Sequence, residues 1–386
     1  MKILILFIDM IRPNRLSFVN DNIKRISPFE KSIKKLGGTF YSNCFTEGPD
    51  TPRGLATFST GIPPNKNGCN TRVKWPRYFL DKNLKTIYDL FLEKNYKISM
   101  FSNPNERNTG MFPNHITDMN IHNHDFDLKS YLNKIKLTKN HLLFVSLPDF
   151  HWSFDDNGYT TYGESKAYCD INKSFELVFQ QYDKDDFDHI FIFSDHGFKF
   201  NYEIRSQRKI MLLDEDRTNI LMIHRKKGES IFRQDNKLCG LSQVYHSIDH
   251  ILNNRANKKA LEISKPKNYI AIEDHYNFYP TTNQNIELWS VVKNDAIYIR
   301  TLDSGYILNR DNRIIKIEVN NEYDEILKHE TSFKKYFEEH KKIKVYNNLI
   351  LKQTNFMYGR KRKKQFKLLK LVFSFIDILL FKIKKQ

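Results

Sequence analysis

The 386-residue sequence has only four cysteines, Cys44, Cys69, Cys169 and Cys239, and no two stand at a metal-finger or redox-motif spacing. That excludes a disulfide framework and a cysteine-based zinc centre, and it fits a reducing compartment. No run reaches the roughly 18 apolar residues of a membrane span. The apolar start, Met1 to Ile8, has neither the length nor the small-residue cleavage site of a secretory signal, so a cytoplasmic chain is expected. There is no internal repeat. Acid is in short supply: 62 Lys and Arg face 45 Asp and Glu, a formal charge of +17. The excess is uneven, because residues 360–386 hold ten basic residues against one Asp, and the body is only mildly basic. With 40% hydrophobic and 14% aromatic residues, the composition is globular rather than disordered. A chain of this length buries one large core or two modest ones.

What is present has the texture of an α/β protein. Residues 3–8 form an apolar run that reads as a buried strand ending at Asp9. Ser27, Pro28 and Glu30 give a helix start over 27–36, and Gly37-Gly38 ends it. Residues 39–45 read as a strand, 84–95 as a helix and 96–101 as a strand. Residues 103–115, rich in Asn, Pro and Gly, read as a loop. Further strands are expected at 141–147, 189–194 and 219–224, with a helix over 164–182. Strands alternating with helices to about residue 255 predict a mostly parallel sheet flanked by helices. Beyond about residue 265 shorter alternating segments, at 287–300, 305–309 and 313–319, predict a small antiparallel sheet, and then a helix around 321–341. The expected organisation is a catalytic α/β domain over 1–262, a small C-terminal α+β subdomain over 263–345 and a basic tail over 346–386.

The stretch from Glu47 to Gly68 opens polar, with a proline on each side of Asp50-Thr51, and then runs through small and apolar residues to Thr60-Gly61. It suggests a reactive side chain at a helix start, where backbone N–H groups favour an anionic ester. Arg53 would add a fixed positive fork. An ordinary capped helix, with Asp50 or Thr51 as the cap, is the alternative.

Three expected strands end in acidic residues or histidine, at Asp9, Asp149/His151 and Asp195/His196. Ligands bind beyond the carboxyl ends of strands in open α/β sheets. Brought together beside Thr51, these residues would make a site for a divalent cation such as Mg, Mn, Ca or Zn. Each alone also fits a strand-end cap or hydrogen-bonding pair.

On these segments the sequence resembles the sulfatase/alkaline phosphatase superfamily, in its sulfatase-like branch, from Lys2 to about Asn253. Ile8 to Leu16 resembles the family's first strand and metal loop. Thr51 to Gly61, with Pro64 and Gly68, resembles its nucleophile segment, and Asp195-His196-Gly197 its second metal pair. The resemblance implies an alkaline phosphatase-like fold and a metal held by Asp9, Thr51, Asp195 and His196. It also implies in-line attack by Thr51 and a substrate-facing His151, with Asp149 available to a second metal. Three departures point away from sulfate hydrolysis. Thr51 cannot become formylglycine, Met10 stands where the loop has a second Asp, and Phe101-Ser102-Asn103-Pro104 replaces the Gly-Lys-x-His motif. A Thr nucleophile is typical of the superfamily's phosphotransferases and phosphodiesterases. The expectation is therefore a metal-dependent phosphoester transferase or hydrolase, acting on a glycan or lipid-linked glycan. A sulfatase and an inactive membrane-docked scaffold of a polysaccharide assembly system are the alternatives.

In the tail, five basic residues at 360–364 precede a largely apolar stretch, Phe366 to Phe381, interrupted by Lys367, Lys370 and Asp377. A basic amphipathic helix on an anionic membrane surface is expected, at the inner face. A docked helix and a disordered tail are the alternatives. The apolar residues argue against nucleic acid as the partner.

Overall fold

The computed structural model describes residues 1–334, except 25, 70–79, 82, 103–118, 122–126, 159, 199–211, 254–260, 280–283, 302–303 and 310–313. The expected loop at 103–115 and the basic tail at 346–386 lie outside the described residues, as does the end of the expected helix beyond 334.

The fold is built on β1, Lys2–Ile8. Its side chains alternate between two cores. Ile3, Ile5 and Phe7 enter one, and Leu4, Leu6 and Ile8 enter the other. A strand buried on both faces needs apolar residues at every position, which explains the unbroken run. The other strands of this layer are β2 (Gly38–Tyr41), β4 (Lys97–Ser102), β5 (Met119–Ile121), β6 (His141–Leu147), β7 (His189–Phe193), β8 (Met222–Lys226) and β9 (Phe232–Asp235). They form one eight-stranded sheet in the order β5-β4-β6-β1-β7-β8-β2-β9. Every pairing is parallel except those of β8 with β7 and β2.

Helices cover both faces. The Leu4 face packs against α1 (Pro28–Leu36) and the long α7 (Thr161–Gln181), together with α5 (Leu128–Lys134) and α6 (Asp149–Asn157). The Ile3 face packs against α2 (Thr51–Thr60), α4 (Ile87–Glu93) and α9 (Ser242–Leu252). Two short helices follow, α3 (Pro64–Asn67) beside α2 and α8 (Glu215–Thr218) beside the turn at Pro13–Arg15. Ser27 caps α1 by accepting from the Glu30 amide. The Glu30 carboxylate reaches Ser17 rather than the cap, and so ties the loop after β1 to the helix.

The expected strand over 39–45 divides at Ser42-Asn43 into β2 and β3 (Cys44–Phe45). The Ser42 amide still donates to Asp235 of β9, while Cys44 has moved over to pair with β10 (Cys239–Gly240). The expected helix over 84–95 is shorter, because Thr86 and Asp89 form a reciprocal capping box that sets its start.

A second sheet of five antiparallel strands follows in simple meander order: β11 (Ile270–Tyr279), β12 (Gln284–Val292), β13 (Ala296–Arg300), β14 (Gly305–Asn309) and β15 (Ile314–Ile317). One face packs Ile270, Ile272, Leu288 and Ile299 against Phe45, Leu212, Leu213 and Leu238 of the first layer. The other packs Trp289, Val291 and Tyr298 under α10 (Glu322–Glu330) and Phe333. The first strand, β11, was not expected from the sequence.

Candidate active site

Registers bring the strand ends together. Ile8 pairs with Leu147 of β6, and Phe7 pairs with Phe193 of β7. Asp9, the first turn of α6 and Asp195-His196 therefore emerge at one edge of the sheet, beyond its carboxyl ends. Helix α2 supplies the fourth wall. Asp50 caps it by accepting from the Arg53 amide at 3.2 Å, and Pro52 lies in the first turn. Gly61, at φ 69°, ends it in the left-handed conformation that glycine adopts without steric cost. Thr51 is the first residue of that helix.

Among the described residues, Asp9, Asp195 and His196 form the group of acidic and histidine side chains close enough to share one cation, with ligand atoms within 4.8 Å of one another. His196 fixes the chemistry. Its Nδ1 lies 2.6 Å from the Gly197 carbonyl, which only accepts, so Nδ1 carries the proton. Burial holds the ring neutral, pushing its pKa down to about 4. The bare lone pair of Nε2 then faces Asp195 Oδ2 at 3.5 Å, Asp9 Oδ1 at 3.7 Å and the Thr51 hydroxyl at 3.5 Å. Asp195 is fully buried. Its Oδ1 accepts from the His196 amide at 2.9 Å and the Met10 amide at 3.4 Å, while Oδ2 makes no hydrogen bond. Burial, and then the neighbouring Asp9 charge, push its pKa well above the ordinary carboxylate range. Two carboxylates and an unprotonated imidazole nitrogen repel one another as they stand. They fit a divalent cation.

His151 stands on the outer side of this group, on α6. Its Nδ1 is 2.7 Å from Asp9 Oδ2 and its side chain is 32% exposed, enough to meet a substrate.

No family model and no curated protein matches the sequence. Solved structures do. A protein in the alkaline phosphatase superfamily from Vibrio parahaemolyticus superposes with a TM-score of 0.61 at 14% identity, over 88% of this chain and 87% of that one. A 2-O GAG sulfatase superposes at 0.59 and 13% identity, over 95% of each chain. The lipoteichoic acid synthase LtaP from Listeria monocytogenes superposes at 0.58 and 12% identity, over 88% of this chain and 91% of that one. The fold is that of the sulfatase/alkaline phosphatase superfamily.

Within this superfamily fold two expected residues have other occupations. Arg53 was expected to turn its guanidinium on the ester. Instead it is completely buried, with Nε 2.7 Å from Asp50 Oδ2, Nη2 on Asp50 and 2.7 Å from Asp274, and Nη1 donating to the Glu273 carbonyl at 2.9 Å. Its fork holds protein groups, and Asp50 serves as cap and counter-ion. Asp149 lies outside the Asp9, Asp195 and His196 group. Its Oδ1 accepts from Ser174 of α7 at 2.9 Å, and burial pushes its pKa up.

The sequence reading missed Gly54. A Cβ there would lie 2.8 Å from the Asp195 Cβ, so glycine lets α2 close onto the end of β7. Its signal was available, because a glycine inside a helical pattern marks a close approach.

Proposed function

We propose that the chain is a metal-dependent phosphoester transferase or hydrolase with Thr51 as nucleophile. The observation that carries this is the convergence of a bare His196 Nε2, two carboxylates and the Thr51 hydroxyl at the N-terminus of α2. Asp9, Asp195, His196 and Thr51 would hold a divalent cation: Mn, Zn, Mg or Ca. When bound, it supplies Lewis-acid stabilisation of phosphoryl charge and acidity of the threonine hydroxyl.

The chain's own residues account for the rest. The first turn of α2 directs backbone N–H dipoles at an anionic ester. Thr51 Oγ1 gives up its proton to solvent water and forms a bond to phosphorus as the bond to the leaving oxygen breaks. His151, held through Nδ1 on Asp9, protonates the departing oxygen. Water or an acceptor hydroxyl then takes the phosphoryl group from Thr51. A threonine cannot become formylglycine, which favours phosphate over sulfate.

The likeness to a GAG sulfatase and a lipoteichoic acid synthase supports a glycan or lipid-linked glycan as substrate. The basic tail, residues 360–386, would hold the chain at an anionic membrane surface. Among the described residues no helix is long and apolar enough to cross a membrane. The GAG sulfatase likeness also favours a second reading, sulfate-ester hydrolysis.

The test compares bis-nitrophenyl phosphate with nitrophenyl sulfate, with Mn or Zn and after chelation. Metal-dependent turnover of the phosphodiester is expected, and turnover of the sulfate ester alone would overturn the phosphoryl reading.

A further inference from the structure

Two buried arginines converge on one carboxylate of the antiparallel sheet. Asp274, on β11, is fully buried. Its Oδ1 accepts from Arg53 at 2.7 Å and its Oδ2 from Arg217 of α8. Arg217 Nη2 also donates to the Pro49 carbonyl at 2.8 Å. Arg53 also holds the cap carboxylate of Asp50. The backbone before Thr51 and the helix cap beside it are thus both fastened, through different arginines, to the same aspartate.

The four residues, Asp50, Arg53, Arg217 and Asp274, are between 0 and 4% exposed and their formal charges sum to zero. Burial works against the charge on Arg53, but Asp50 and then Asp274 more than offset it and push its pKa up. Removing one member of such a group leaves a buried charge without its partner. None of the four belongs to the cation-binding group, which is carried by the end of β1 and the segment after β7.

We infer that Asp274 is a positioning residue for Thr51: the second sheet fixes the nucleophile's turn against a cation site carried by the first. The inference rests on the Thr51 reading of the previous section. A lateral error of about 1 Å in a nucleophile costs on the order of a hundredfold in rate. Two separate anchors on the Pro49–Arg53 turn oppose such an error.

The experiment uses the full chain loaded with Mn or Zn, as wild type, Asp274→Asn, Arg217→Lys and Tyr298→Phe. Arg217→Lys keeps the charge but cannot span Asp274 and the Pro49 carbonyl. Tyr298→Phe removes a bond from β13 of the same sheet to Asp324 of α10 and controls for general weakening of that sheet. Amide hydrogen exchange is read in peptides covering 47–54, β1 and β7. Asp274→Asn is expected to speed exchange over 47–54 by about tenfold or more, with β1 and β7 unchanged. Phosphorylation of Thr51 by bis-nitrophenyl phosphate should slow by about a hundredfold, with KM and metal affinity near wild type. Arg217→Lys should change both readouts in the same direction, and Tyr298→Phe should change neither. If Asp274→Asn does not fold, Arg217→Lys decides.

Exchange that stays at the wild-type rate over 47–54, or rises equally across both sheets, overturns the inference. So does an undiminished phosphorylation rate. A wild type that phosphorylates on no ester sinks the Thr51 reading instead, and the exchange data still decide whether Asp274 holds the turn.

Discussion

Gly54 of α2 lies directly against Asp195: a Cβ at position 54 would come within 2.8 Å of the Asp195 Cβ and 3.0 Å of its carbonyl oxygen. At an exposed helix position, replacing glycine by alanine stabilises by about 1 kcal/mol. Here the sign reverses. Gly54→Ala should lower stability by about 1–3 kcal/mol, because the contact is with backbone and a fixed Cβ rather than a flexible tip. It should also push the start of α2 away from Asp195 and lower turnover more than metal affinity. Thermal melts and metal titration of the variant check both.

Asp195→Asn gives a prediction of opposite sign. The carboxylate is buried beside Asp9, with Oδ2 lacking a hydrogen bond. The neutral amide removes that repulsion, so the metal-free variant should be more stable than metal-free wild type, by about 1 kcal/mol or more. Added Mn or Zn should raise the Tm of wild type by mass action and leave the variant unmoved; at a hundredfold excess over Kd the wild-type gain is about 2.7 kcal/mol. A variant that is destabilised without metal and still gains stability with it would contradict the assignment.

His151 should reveal itself through the leaving group. Nitrophenolate departs without a proton, whereas a sugar or glycerol alkoxide needs one. His151→Gln should therefore cost about a hundredfold on an alkyl phosphodiester and little on bis-nitrophenyl phosphate. Equal losses on both substrates would assign His151 to orienting Asp9 alone.

At the far end of the sheet, His189 and His224 meet with Nδ1 and Nε2 3.0 Å apart. Burial pushes the pKa of His189 down to about 4 and that of His224 to about 3. The unfolded chain binds protons near the ordinary histidine value and the folded chain does not. Stability is therefore complete above about pH 6.5 and falls as pH drops toward 4; His189 alone accounts for about 2 kcal/mol by about pH 5. Denaturant midpoints across this range should fall in wild type and fall less in His189→Asn.

How much of this was legible follows from where each partner lies in the chain. β1 and Asp9 announce themselves, because a strand buried on both faces must be apolar at every position and must stop where the chain meets the site. Ser27-Pro28 announces α1 because capping is local. The role of Arg53 is not local: Asp274 is 221 residues away, on a strand the sequence did not suggest. An arginine two residues after a nucleophile looks like a substrate fork until a buried carboxylate is found to occupy it. Position alone does not show that Asp149 also has a local partner, since a strand-end acid can receive a hydroxyl from the next helix, here Ser174.

In the proposed reaction Thr51 attacks phosphorus at a cation site made by Asp9, Asp195 and His196. The most direct test is intact-protein mass, with metal content, after mixing the Mn- or Zn-loaded chain with bis-nitrophenyl phosphate and quenching in acid. Wild type should carry a phosphoryl adduct that maps to Thr51, and Thr51→Ala should carry none while still folding. A wild type that binds metal and turns over the ester without any adduct, or an adduct that persists in Thr51→Ala, would contradict it.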